Sequence, residues 1–454
     1  MPEETSAVKV GFVALGCSKN QVDAELMMGA LKQAGFEISS DPDECEVVVI
    51  NTCAFIESAK AESIQNVLEF CRKKESGNPK VVVVTGCLAE RYREQVAELI
   101  PEADVVLGIG ANDEIVSSVK KALKGEKVSK FYAPENVPLK GYRILANAPF
   151  MAYIRIAEGC DNRCTYCAIP MIRGRFHSRP MEDIVEEVQA FAAKGVREFN
   201  IIAQDTTRYG EDLYGERKLP ELLEKLCAVD GVKWIRILYA YPERITDELL
   251  DVIAKENKIV KYLDIPYQHC KEEILRNMNR TGSMMEILAQ LKHIREKVPG
   301  ITLRTTLLVG FPGETEQDFD SLGVFVKAAR FDRLGCFAYS REEGTPAADF
   351  PDQVEDEVKE RRAETIMAFQ ADISRTLLKK QVGGIREVVV ENYDPLHKMF
   401  IGRSAENAPE IDGRIYFTSP FRHKLGDFVS VKIDQSSDYD LCGSLVADIP
   451  ESEA

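Results

Sequence analysis

No apolar stretch in this sequence approaches the roughly 20 residues that a membrane-spanning helix needs. The longest runs are short and strand-like, as at Glu46–Ile50 and Val81–Val84. The opening residues, MPEETSAVKV, are acidic and have no apolar core, so they do not read as a signal peptide, and a cytoplasmic location is expected. Cations are in deficit. With 58 Lys and Arg against 74 Asp and Glu, the formal net charge is −16, which argues against a protein that coats nucleic acid through phosphate contacts. Acidity favours solubility and attraction to basic partners. The remainder is ordinary: 45% hydrophobic and 29% charged residues over 454 positions suit a globular chain of two or three domains.

Cysteine is not scarce. Twelve in a long cytosolic chain point to metal or redox chemistry rather than disulfides. Three of them, Cys160, Cys164 and Cys167 in EGCDNRCTYCAIP, have C-x3-C-x2-C spacing, and no fourth Cys or His lies near enough in sequence to finish a set. Zinc sites usually close with four ligands, and cubane iron–sulfur clusters usually take four cysteines. Three thiolates leave one corner of a small cluster without a protein ligand, and an open iron is the functional reading. A zinc knuckle with a distant fourth ligand and a disulfide cluster are the alternatives, and this spacing disfavours both. The triplet follows the alternating run MAYIRIAEG, so it belongs on a loop after a strand, where α/β barrels hold their chemistry.

Residues 1–145 open with three strand signals, KVGFVALG, EVVVINT and VVVVTG, each followed by a helical pattern; ADVVLGIG extends the set. Repeated βα units predict an open parallel sheet. One cysteine stands at the end of each of the first three strands: Cys17, Cys53 and Cys87. Ligands of open parallel sheets bind outside the carboxyl ends of the strands, so these thiols point into one crevice and make a second three-thiolate site. Asn20, Gln21, Asn51, Thr52 and Glu57 either hydrogen-bond cluster sulfurs or orient the loops, or, as the favoured reading for several of them, simply cap the following helices.

Residues 146–375 carry six strand-like runs, beginning with MAYIRIAEG and ending with RLGCFAYSREEGTPA, separated by helical segments. Six βα units suit a partial barrel better than a closed eight-fold one. The strand ends supply the candidate ligand residues Gln204 and Asp205, Arg236, Asp264 with Gln268, Gly310 to Gly313 with Glu314, and Tyr339 with Glu343. A carboxylate there can bond ribose hydroxyls, and a glycine turn lets backbone approach an adenine. Arg173, Arg175 and Arg179 follow the cysteine loop and either hold anionic groups or stand as solvated charges. His177 and His269 read as structural, Cys270 and Cys336 as near the pocket, and Cys45, Cys71, Cys227 and Cys442 as ordinary thiols. After a charged helical stretch, residues 376–454 read as short strands and turns, a small β-barrel that serves as a binding appendage. Acid outnumbers base in it, unusual for a barrel that grips RNA.

The cysteine triplet with Tyr166 beside Cys167, together with LGCSKNQVDAELMMG, INTCAFIESAKAESI, VVTGCLAERY, IAQDTTRYGEDLYG, YLDIPYQH and LRTTLLVGFPGETE, resembles the radical S-adenosylmethionine (SAM) methylthiotransferase family over nearly the whole chain. AQDTTRYG and LDIPYQH make it most similar to the RimO type, whose substrate is an aspartate of the small-subunit (30S) ribosomal protein S-twelve. Tyr267, Cys270 and the Phe176-His177 pair depart from the pattern in detail. The resemblance implies a C-terminal TRAM domain and two 4Fe–4S clusters. Cys160, Cys164 and Cys167 would hold the catalytic cluster that cleaves SAM to a 5′-deoxyadenosyl radical. Cys17, Cys53 and Cys87 would hold an auxiliary cluster bearing the sulfur. Tyr166, Gln204, Asp205, Arg236, Gly310, Gly313 and Glu314 would line the SAM pocket. It further implies an electron donor such as flavodoxin or ferredoxin, and nucleic-acid contact that is at most indirect. Two rivals follow: a tRNA adenosine methylthiotransferase sharing the cluster residues, and a non-enzymatic iron–sulfur carrier that needs no SAM pocket. The acidic barrel is expected to face a basic protein loop through residues such as Glu406, Glu410 and Asp412, and removal of residues 381–454 to abolish modification while sparing SAM cleavage.

Overall fold

Runs of valine buried on both faces make the centre of the first sheet. In the computed structural model, which describes residues 7–146 and 148–446, β1 (Lys9–Ala14), β2 (Glu37–Ser39), β3 (Val47–Thr52), β4 (Val81–Gly86), β5 (Val105–Leu107) and β6 (Val128–Lys130) lie parallel in the order β2-β1-β3-β4-β5-β6. Every residue of β3 and β4 is buried, as a parallel sheet covered on both faces requires. The edge strands β2 and β6 have no counterpart in the sequence reading; three part-polar residues each carry too little periodicity to register. Helices α1 (Ser18–Gln33), α2 (Glu57–Glu75) and α3 (Cys87–Tyr92) follow β1, β3 and β4.

The six expected central strands are all present. After β7 (Met151–Arg155), the two-residue strands β8 (Ala157–Glu158) and β9 (His177–Ser178) pair antiparallel and frame the Cys160–Cys167 loop. Then β10 (Glu198–Ile202), β11 (Trp234–Ile237), β12 (Ile259–Asp264), β13 (Thr302–Val309) and β14 (Arg333–Ala338) add in chain order to β7 in one all-parallel sheet whose edges are β7 and β14. Alternation along each strand divides the residues. Ile154, Phe199, Ile201, Ile235, Ile237, Leu263, Leu303 and Leu307 pack under the helices. Tyr153, Ile202, Trp234, Leu238 and Tyr262 join a separate cluster with Val22 and Leu26 of α1 and Val389 and Ala408 of the C-terminal module.

That module is the closed barrel β15 (Ile385–Asp394), β16 (Met399–Ser404), β17 (Ile415–Thr418), β18 (Phe428–Ser436) and β19 (Leu441–Leu445), ordered β15-β16-β17-β19-β18. It corrects the expectation of an appendage. Arg403 reaches into the partial barrel and donates to Glu198 at 2.6 Å with both side chains buried, and Phe428 meets Trp234 edge-on at 4.8 Å. The acidic residues expected to face a partner have partners within the chain, although Glu410 stays exposed. Asp412 accepts from Tyr262 Oη at 2.7 Å and from Ala408 N at 2.8 Å. Glu406 pairs with Arg386 at 3.0 Å, and Glu410 lies 3.5 Å from Tyr153 Oη. No helix among the described residues is long and apolar enough to cross a membrane.

Candidate active site

The three thiols of the first domain sit where adjacent strands hand over to helices. Cys17 is the N-cap of α1, Cys53 follows β3, and Cys87 is the first residue of α3 after β4. Gly16, at φ +94°, leaves no room for a side chain, because a Cβ there would lie 2.9 Å from Cys53 Cβ. Asn20 then ties the loops together: its amide donates to the carbonyls of Leu15 at 3.0 Å and Thr52 at 2.8 Å, and its Oδ1 accepts from Cys87 Sγ at 3.4 Å. Asn51 donates to Asn20 O at 2.6 Å, and Thr52 Oγ1 to Thr85 O at 2.5 Å. Orienting the loops is one of the two expectations for these residues, and capping helices the favoured one for several. None caps a helix: the N-caps are Cys17, Ile56 and Gly86, without side-chain caps. Gln21 instead bonds Glu25 at 3.0 Å, and Glu57 pairs with Lys60. Burial pushes the Cys53 thiol up, and the Cys87 thiol up to about 12 against the pull of Arg173.

The second triplet occupies the loop between β8 and the short helix Ile169–Arg173. The loop closes tightly: Gly159 has φ +74°, a Cβ there would lie 2.1 Å from Arg175 O, and Cys160 N donates to Gly174 O at 3.1 Å. Cys160 lies in the field of Cys164, and Cys167 in that of both. Burial raises Cys160 to about 11 and Cys167 further. Cys164 Sγ is 3.9 Å from both Tyr241 Oη and Arg280 Nη1.

The two triplets are joined by buried charge. Arg155 and Arg173 share Asp23, at 2.6 and 2.7 Å, and Glu158, at 2.8 and 3.2 Å. Arg173 also donates to Asn20 Oδ1 and, at 3.7 Å, to Cys87 Sγ. Burial opposes ionisation of Glu158, but the two arginines hold its carboxyl at about 2. Further contacts turn the strand ends of the first sheet toward the mouth of the barrel: Lys19 Nζ lies 3.1 Å over the Tyr239 ring, and Arg91 pairs with Glu342 at 2.6 Å. Of the three arginines after the loop, Arg173 and Arg179 are buried in ion pairs and Arg175 is exposed beside Asp161.

The expected pocket residues divide. Gln204 donates through Nε2 to Glu158 and leaves Oε1 without a protein partner. Asp205 accepts from Asn162 at 3.0 Å and Arg244 at 2.7 Å. Glu314 holds the Gly310–Gly313 turn by accepting from Gly310 N at 2.8 Å, anchored by Arg362 at 2.9 Å; burial raises it to about 7 in spite of that arginine. Tyr166 packs with Phe311 and Tyr339, and Tyr339 Oη is unpartnered. Asp264 is taken by Arg304 at 2.8 Å, and Gln268 continues the sheet through its backbone. Arg236 stands inside β11 with Nη1 donating to Ala405 O at 2.8 Å and Nε 3.5 Å from Glu198, and its buried Nε and Nη2 make no hydrogen bond among the described residues. One expectation needs correction. Glu342, not exposed Glu343, turns inward to Arg91, while Glu343 contributes its carbonyl. His269 is buried and neutral, its pKa lowered to about 3 by burial. Cys270 is buried and Cys336 partly so, and neither bonds a triplet residue. Cys45, Cys71 and Cys227 are buried and Cys442 half-buried.

Sequence reading missed Asn200, whose amide is buried with neither atom partnered, and the charges Asp23, Arg155 and Glu158. A polar residue inside the apolar run EFNII was the available signal for the first. Among the described residues no group of three or more His, Cys, Asp or Glu closes on a single metal ion. Two sets of three thiols, free of carboxylate or imidazole, fit clusters in which each thiol takes a different iron.

Family profiles match the chain in three places: the uncharacterized protein family UPF0004 over residues 9–108, the radical SAM superfamily over 154–326 and the TRAM domain over 382–446. The ribosomal protein uS12 methylthiotransferase RimO of Clostridium tetani is 47% identical over 437 residues, 96% of this chain and 98% of the relative. Its counterpart in Pelotomaculum thermopropionicum is 48% identical over 441 residues, 97% and 99% of the two chains. Among solved structures, the radical SAM methyltransferase TsrM of Kitasatospora setae shares the fold at 14% identity, with a TM-score of 0.57 over 84% of this chain and 80% of that one.

Proposed function

Because this chain belongs to the RimO family of radical-SAM methylthiotransferases, we propose that it places a methylthio group on the β-carbon of an aspartate of ribosomal protein S-twelve, in the cytoplasm, using SAM and two 4Fe–4S clusters. The observation that carries the reading is the buried Arg173–Asp23–Glu158–Arg155 network, which links the strand ends that carry one cysteine triplet to the loop that carries the other. In this reading Cys160, Cys164 and Cys167 hold one cluster, and Cys17, Cys53 and Cys87 the other. When bound, these groups and SAM supply the electron, the radical and the sulfur that no side chain offers.

The chain's own work is to bind, orient and exclude water. Gln204, Asn200 and Tyr339 keep buried polar atoms without a protein partner, as a polar ligand requires. Asp205 is poised by Asn162 and Arg244, and Glu314 fixes the Gly310–Gly313 turn so that backbone approaches a flat ligand. Tyr166 closes the side of the cysteine loop against Phe311 and Tyr339. Thiols bind a cluster as thiolates, so cluster binding releases their protons, and Arg173 beside Cys87 favours the charged form of that thiol. The domain roles divide at about residues 145 and 375, and a small redox protein such as flavodoxin or ferredoxin delivers the electron.

The test offers the cluster-loaded enzyme, SAM and a reductant the purified S-twelve protein and unmodified tRNA side by side. The expected result is the mass of an added methylthio group on the protein alone. Methylthiolated tRNA beside untouched protein would overturn the assignment.

A further inference from the structure

Lys19 is the second residue of α1, two positions after Cys17, and only 6% of it is exposed. Buried ammonium groups are usually paired. Most other buried cations at this junction follow that rule: Arg173 and Arg155 have Asp23 and Glu158, Arg143 has Glu25, and Arg91 has Glu342. Arg280 has no carboxylate either, but it donates to Pro266 O at 2.7 Å and lies beside Cys164 Sγ. Lys19 makes no ion pair and no hydrogen bond among the described residues. Its Nζ instead lies 3.1 Å over the ring of Tyr239. Tyr239 follows β11 at the barrel mouth with φ +62°, fixed by its backbone N–H donating to Asp264 at 3.2 Å. An aromatic face offsets part of the hydration that an ammonium loses, but it brings no negative charge. A cation with one face on a ring and no ion-pair partner among the described residues, two positions after Cys17 and against Tyr239 at the end of β11, is a half-built carboxylate site.

We propose that Lys19 binds the side-chain carboxylate of the residue being modified and so selects aspartate; this rests on the substrate reading above. A carboxylate held there keeps its neighbouring methylene one bond away. Asparagine has the shape without the charge. Glutamate has the charge, but its β-carbon stands one bond further off. Lys19 therefore discriminates by charge against the first and by length against the second. The carboxylate of SAM is chemically similar, so the experiment separates the two sources.

Cluster-loaded wild type, Lys19→Gln and Lys19→Arg are titrated with fluorescent peptides of the S-twelve loop carrying Asp, Asn or Glu at the target, and separately with SAM. Wild type should bind the Asp peptide about tenfold more tightly than the Asn peptide, about 1.4 kcal/mol. Lys19→Arg should keep that preference, and Lys19→Gln should bind Asp and Asn peptides alike while its SAM affinity holds. A Lys19→Gln enzyme that still prefers Asp, or that loses SAM affinity and nothing else, overturns the proposal. Should Lys19→Gln fail to take up clusters, the wild-type pair decides: equal binding of Asp and Asn peptides is fatal, and a preference retained by Lys19→Arg supports it. An enzyme that methylthiolates Asp and Asn peptides equally sinks this proposal alone; one that modifies tRNA and no peptide sinks the substrate reading with it.

Discussion

Arg173 is one side chain that serves both cysteine sites. Its guanidinium meets Asp23 and Glu158 on one side and Asn20 and Cys87 on the other, all of them buried. A planar fork is needed for this, and lysine would satisfy one partner at a time. The sequence left Arg173 open between anion binder and solvated loop charge, because position after a cysteine loop says nothing about burial. Removing it strands two carboxylates with only Arg155 to share between them. Arg173→Gln should therefore lose about 3 kcal/mol, the lower end of the cost of breaking a buried ion pair, read as the denaturation midpoint of the metal-free protein. A variant within about 0.5 kcal/mol of wild type, the range of ordinary surface changes, would mean that the network is not a unit.

At the scale of elements, the C-terminal barrel does more than append. Its Arg403, Val389, Ala408 and Phe428 cover Glu198, Tyr153, Trp234 and Tyr262 inside the partial barrel. The expectation that deleting residues 381–454 spares SAM cleavage therefore changes: truncation bares an aromatic, charged interior, and cleavage should fall with modification. A milder probe is Arg403→Met, which leaves Glu198 facing Arg236 at 3.5 Å and no closer cation. It should cost about 3–5 kcal/mol, detected as faster hydrogen exchange of β10 and β11 and earlier proteolysis after Lys379. Unchanged exchange in those strands would show that the seat is not held by this pair.

For the whole molecule, the two triplets belong to separate sheets, each complete without the other. Anaerobically loaded protein should hold about eight irons if both sites take the cubane form. The triple change of Cys17, Cys53 and Cys87 to Ala should leave about four, with reductive SAM cleavage retained. Loss of cleavage from a variant that still carries four irons would contradict this division of labour.

The sequence by itself determined the three-part α/β order, the six central strands and the two cysteine triplets, because β-branched runs, period-two alternation and local Cys spacing are short-range signals carried by contiguous residues. Its capping reading of Asn20 and Asn51 did not survive and its alternative, that they orient the loops, did, since a polar side chain's partner is chosen by whatever element packs against it. Only the tertiary structure brought Asp23 to Arg155 across 132 positions and Arg403 to Glu198 across 205, and laid Lys19 on Tyr239 without a counter-charge. Burial decides these cases: a charge taken out of water must find a partner, and which partner it finds depends on how the domains dock.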